Sequence, residues 1–232
     1  MLLQTQATES WKGAVGFVGV ILALVALLFV ISALNRVAHR RRKVRREAWG
    51  SKNGLRVLDT QQDDSGLKVL ADYPHVELFR KPAPAALHIL EGQVDGFPTR
   101  VFEFRYTSGS GRNTADCHFS VIAFHFDRIM PFTAFKRHFG WDGLTKDDIQ
   151  SGRKEFDKEF YVYADDWRLL STQLPDDLAQ LILDSKLFDF VLADDKLVIT
   201  AMYRLKDAEY DRLFQEARQL RNWVVAQTTN LR

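Results

Sequence analysis

AVGFVGVILALVALLFVISAL, residues Ala14–Leu34, is followed at once by the basic run NRVAHRRRKVRR, residues 35–46. The first stretch has no charge in twenty-one residues. As a helix rising about 1.5 Å per residue it would cross the ~30 Å hydrocarbon core of a bilayer. A buried helix of a water-soluble domain would carry a polar stripe, and only Ser32 interrupts this one. A cleavable leader would place its positive charge before a shorter apolar core; here Glu9 and Lys12 are the only charges in the N-terminal flank. The stretch reads as a transmembrane helix.

Seven cations follow it: Arg36, Arg40, Arg41, Arg42, Lys43, Arg45 and Arg46. Cationic flanks stay on the cytoplasmic side. Residues 1–13 are therefore expected outside the cell and the chain after the basic run in the cytoplasm. Trp11 sits where an interfacial aromatic would hold the outer end. The expected location is the inner (plasma) membrane, crossed once. The seven cations would also lie against anionic headgroups, at about 1 kcal/mol each. Gly16, Gly19, Ala23 and Ala26 fall within one arc of the helix, where small residues let two helices approach and form a homodimer.

Residues 1–46 hold eight of the 32 Lys and Arg and one of the 30 Asp and Glu, which leaves a net charge of −5 on the rest. An acidic domain is repelled by DNA and RNA, so no nucleic-acid partner is expected. Cys117 is the only cysteine, which excludes an intramolecular disulfide and suits a reducing compartment.

The chain after the basic run has a size suited to one domain. Residues 35–81 read as a basic juxtamembrane segment and linker, with turn-rich GSKNG and DTQQDDSG and only short apolar runs. Pro82 and Pro84 mark a boundary, and residues 82–232 form the cytoplasmic domain. Leu87–Glu91, Arg100–Tyr106 and Cys117–Asp127 read as antiparallel strands; Phe102, Phe104 and Tyr106 share one face of the second. Pro131 suggests a break before a short strand near Ala134–His138, and Lys158–Tyr163 alternates again. Pro175, Asp176 and Asp177 open a helix running to about Asp184. Leu187–Leu192 and Lys196–Tyr203 suggest a hairpin around Ala193–Asp195. The chain closes with an amphipathic helix from Asp207 to about Gln227, its apolar face Tyr210, Leu213, Phe214, Ala217, Leu220 and Val224. The fold class is α+β, with an N-terminal transmembrane helix and one domain holding an antiparallel sheet, an internal helix and that C-terminal helix.

Residues Lys146–Leu192, through KDDIQSGRKEFDKEFYVYADD and LPDDLAQLILDSKLFDFVL, resemble a family of uncharacterised single-pass, membrane-anchored bacterial proteins, a domain of unknown function. The resemblance is carried by Glu155–Phe156 ahead of Phe160-x-Val162, an acidic residue, and a helix ending in a short strand. Asp157 stands where that family usually has Asn. The resemblance implies the same anchor-plus-domain layout and supplies no catalytic residue.

No motif commits the chain to a reaction. Gly109-Ser110-Gly111 joins two strands and lacks the rest of a phosphate loop. His118 and His125 are seven residues apart on one strand and so face opposite sides. The Asp pairs, such as Asp165–Asp166 and Asp194–Asp195, sit where turns and helix starts favour Asp. Cys117, at the start of an apolar strand, reads as a structural thiol. Trp141, with Asp142 and Gly143, reads as an end plug of the core or an interface anchor. No catalytic, cofactor or metal residue is assigned. The expected function is a non-enzymatic interaction or scaffold module on the membrane, with the lipid bilayer and a protein in or near it as partners. Two alternatives are a metal-assisted hydrolase whose His and Asp residues are assembled by folding, and a lipid-headgroup sensor.

Overall fold

The computed structural model describes residues 2–58, 65–109, 111, 114–138, 151–165, 176–185, 187–202 and 207–229; side chains are described there except at 2–23, 35, 39, 65, 177–178, 187–188, 207 and 227–229. The chain divides into two compact units, Met1–Arg45 and Arg46–Arg232.

Residues 2–45 of the first unit belong to helix α1, Leu2–Lys52. Leu24, Val25, Leu27, Leu28, Phe29, Val30, Ile31 and Leu34 are all exposed on it. Among the described residues no helix is long and apolar enough to cross a membrane. The side chains of residues 14–23, nearly half of the apolar stretch, lie outside the described ones.

The second unit is α+β, and it starts earlier than residue 82. The segment expected to be a linker supplies strand β1 (Leu55–Val57), helix α2 (Ser65–Ala71) and a 3₁₀ turn (Glu77–Arg80). Leu55, Val69, Leu70, Tyr73, Val76, Leu78 and Phe79 are core residues. Each apolar run there is too short to show a period, yet Val69, Leu70, Tyr73, Val76, Leu78 and Phe79 pack together on one face of the sheet and Leu55 joins the core on the other. The boundary with the first unit therefore falls at Arg46.

Strands β2 (Ala85–Val94), β3 (Phe97–Ser108), β4 (Ala115–Arg137), β5 (Phe160–Ala164) and β6 (Leu187–Met202) complete a six-stranded antiparallel sheet. Its order is β1-β2-β3-β4-β5, with β6 also paired to β4. Helix α3 (Lys154–Glu159) leads directly into β5, α4 (Asp176–Asp184) precedes β6, and α5 (Asp207–Thr229) ends the described chain. On one face Phe102, Phe104, Phe119 and Val121 meet Tyr73 and Phe79. On the other, Val101, Ile122, Phe124 and Ile199 meet the expected face of α5, all six residues of which are buried.

Pro131 does not break β4. It lies between Met130 and Thr133, where the β4–β6 register is irregular, so its missing N–H removes no regular ladder bond. The expected hairpin around Ala193–Asp195 is one strand, β6, bent sharply where Asp194 takes φ 52°. The Asp189 N–H nevertheless donates to Thr200 Oγ1 at 3.1 Å. Eleven extended residues would span roughly 36 Å, so the β4–β6 ribbon folds back toward the α2 face.

Candidate functional site

A hollow of about 570 Å³ in the second unit lies between the β2–β3 turn, residues 125–128 of β4 and Val225 of α5. Small-molecule sites typically occupy about 300–1,000 Å³. Phe97, Pro98, Phe126 and Val225 give it an apolar part; Asp95, His125, Asp127 and Arg128 give it a polar one.

Local geometry explains why the groove exists. Asp95 and Gly96 both have positive φ, 52° and 83°, and connect Val94 to its partner Phe97 in a two-residue turn. Asp-Gly is the dipeptide such a turn favours. Asp95 is held from below by α5: Arg218 donates to both its oxygens at 2.8 Å, and Arg221 Nη2 to one at 2.7 Å. Arg221 is 1% exposed. It also donates to the Val94 carbonyl at 3.1 Å and lies over Phe97 and Phe124. These hydrogen bonds, first from Arg221 and then from Arg218, hold the Asp95 carboxyl below the usual carboxylate range. On the opposite wall, β4 leaves its register with β6 between His125 and Met130. Past buried Phe126 the strand bows outward, and Ile129 at the end of the bow is 83% exposed.

Behind His125 stands a chain of polar contacts. Arg100 donates to Asp72 Oδ2 at 2.7 Å and to the Tyr73 hydroxyl at 3.5 Å, and that hydroxyl meets His125 Nε2 at 3.3 Å. Arginine only donates, so the tyrosine oxygen accepts from it and its own O–H is left for the imidazole. Burial pushes the Tyr73 hydroxyl up to about 12, which keeps that proton in place. Burial, and then the nearby charge of Arg100, holds His125 below the ordinary histidine value. The ring is neutral near pH 7. A smaller hollow beyond Tyr73 includes His75, Asp194 and Lys196, with His75 Nε2 3.0 Å from Asp194 Oδ2.

Of the seven cations expected against the membrane, Arg36, Arg40, Arg41, Arg42, Lys43 and Arg45 are exposed on α1. Arg46 is not: it turns into the domain, 3.5 Å from Glu103 and over the Tyr210 ring. The proposed packing face has Ala26 exposed, and the side chains of Gly16, Gly19 and Ala23 lie outside the described residues. His118 and His125 do face opposite sides, His118 Nδ1 lying 3.2 Å from Glu103 and His125 meeting Tyr73. Among the described residues no three His, Cys, Asp or Glu side chains are grouped to hold a metal ion. The assembled site of the hydrolase alternative is thus missing from the described part. Cys117 is half-buried opposite Tyr106. Trp141, Asp142 and Gly143, and the first residues of the Lys146–Leu192 resemblance, lie outside the described residues.

No family model and no curated protein sequence matches the chain. The fold has a solved counterpart. Over 78% of this chain and 93% of the other, the structure is similar to the mycobacterial trehalose monomycolate transport factor A, TtfA, with TM-score 0.57 and 14% identity. At that identity the likeness shows the fold alone. Sequence reading passed over the groove because its residues come from three distant stretches. The one local signal was the Asp95-Gly96 dipeptide, and its arginine partners sit 123 and 126 positions later.

Proposed function

We propose that this chain is a single-pass membrane protein whose α+β domain is a non-enzymatic binding module at the cytoplasmic face, serving machinery that moves lipid or lipid-linked material. One observation carries the reading: eight large apolar side chains between residues 24 and 34 are exposed, and a run of exposed cations follows them on the same helix. Water-exposed apolar surface of that extent needs a cover, and the cations give the cover an orientation. The bacterial family resembled by Lys146–Leu192 has the same layout. The transport-factor name of the structural counterpart supports a role in lipid traffic. The groove offers a place for the bound partner.

The test is membrane fractionation of cells expressing the full chain, followed by protease protection and crosslinking in native membranes. The chain should resist alkaline extraction, its domain should be cleaved only from the cytoplasmic side, and a membrane-protein partner should be captured. Extraction by alkaline carbonate would refute the anchor. A second reading, sensing of anionic headgroups, draws on the six exposed cations. Reversing Arg40–Lys43 would abolish binding to anionic vesicles under that reading and leave it unchanged otherwise.

A further inference from the structure

We propose that the groove between the Asp95–Gly96 turn and the β4 bow binds an uncharged, hydroxyl-rich sugar moiety. The proposal rests on the groove being the domain's binding site and is independent of where the chain sits in the cell.

Charge balance sets the ligand class. Asp95 is offset by Arg218 and Arg221, and Asp127 lies beside Arg128 in the same wall. His125, held by Tyr73, contributes an uncharged hydrogen-bonding ring. A ligand of either sign meets a like charge in a lining that sets Asp127 next to Arg128. A purely apolar ligand would strip water from the exposed Asp127 carboxylate without replacing its hydrogen bonds. Hydroxyl groups suit these walls: a carboxylate offers about four acceptor sites, and the arginines occupy three on Asp95. Half-buried Phe97, set edge to face against buried Phe126 with centroids 5.8 Å apart, supplies apolar surface for the C–H face of a sugar ring. The size of the hollow admits a disaccharide.

The same chemistry is presented by a free sugar and by the head of a glycolipid, and two arms separate them. In one, trehalose, sucrose and maltose are titrated calorimetrically into the full chain in a polyoxyethylene detergent, which has no sugar head to compete. In the other, the chain is titrated with vesicles of phosphatidylcholine with and without a diglucosyl diacylglycerol. Saturable binding is expected in at least one arm, and which arm responds identifies the source. Asp127→Asn and, at pH 8, above the window in which His125 titrates, His125→Gln should each weaken it tenfold or more with the melting temperature unchanged; Asp127 is exposed and its amide preserves shape. Absence of saturable binding in both arms overturns the proposal, as does wild-type affinity in both variants. So does tight binding of inorganic phosphate that displaces the sugar. The membrane reading stands or falls on the fractionation result, so the two failures are distinguishable.

Discussion

Replacing Asp189 with Asn should change how the stability of the domain depends on pH. Asp189 is 8% exposed, on β6 opposite Lys136, and burial pushes its carboxyl up to about 7; Lys136 opposes that shift and Glu77 adds to it. Lys136 is also paired with Glu77, which limits what it offers to Asp189. In the unfolded chain the group titrates near its ordinary value of 3.8. Between those values the folded state holds a proton that the unfolded state has lost. Stability from this group is complete below the unfolded pKa and is lost as pH rises through the folded one. A shift of about three units at 1.36 kcal/mol each corresponds to roughly 4 kcal/mol, spent between about pH 4 and pH 7. Asn cannot ionise. The variant should match the wild type near pH 4 and exceed it by up to about 4 kcal/mol at pH 8. Urea unfolding of the full chain in a non-ionic detergent, read from domain tryptophans such as Trp49 and Trp223, measures the difference. Contributions from other groups cancel in it. A wild-type-to-variant difference that stays constant within about 0.5 kcal/mol from pH 4 to 8 would refute the argument.

Four further outcomes are expected. His125 has a lowered value, so its contribution has the opposite sign: present above the unfolded histidine pKa of about 6.5 and lost as pH falls through the folded one; His125→Gln should flatten the unfolding free energy across that acid window. Arg221→Met should destabilise the domain by about 1–3 kcal/mol in urea, below the usual cost of breaking a buried pair because Asp95 is 40% exposed; a loss under about 0.5 kcal/mol would show the clamp to be idle. Leu220→Ala, at a position with no exposure on the apolar face of α5, should cost about 2–5 kcal/mol by the same measurement. Gly92→Ala would set a Cβ 2.3 Å from the Gly54 carbonyl oxygen and 3.1 Å from Leu55 Cα; it should cost at least about 1–3 kcal/mol, and amide exchange in β1 should rise first.

The polar pieces of the groove are cheap to misread one at a time. Asp95 looks like turn chemistry, and it is. Only the packing of α5 beneath the turn brings Arg218 and Arg221 to it. His125 on β4 alternates correctly toward one face, but nothing local says that Tyr73, 52 positions earlier, waits there. Arg46 reads as one more cation of the basic run until Glu103, an inward carboxylate on β3, is placed beside it.

Local sequence was sufficient wherever one period ran long enough to be read. The apolar face of α5, from Tyr210 to Val224, determined which side of that helix is buried, and alternation put Phe102, Phe104 and Tyr106 on one face of β3, a strand that the tertiary structure covers on both. The α+β class follows from the order of those elements. Tertiary structure alone decided the rest. It made residues 46–81 part of the domain, because runs as short as Val69–Leu70 and Leu78–Phe79 gain their burial only from a sheet already formed. It kept β6 a single bent strand, because β4 pairs with it on both sides of the Asp194 bend. It made the groove, because a cavity belongs to surfaces far apart in the chain and has no period for a sequence to carry.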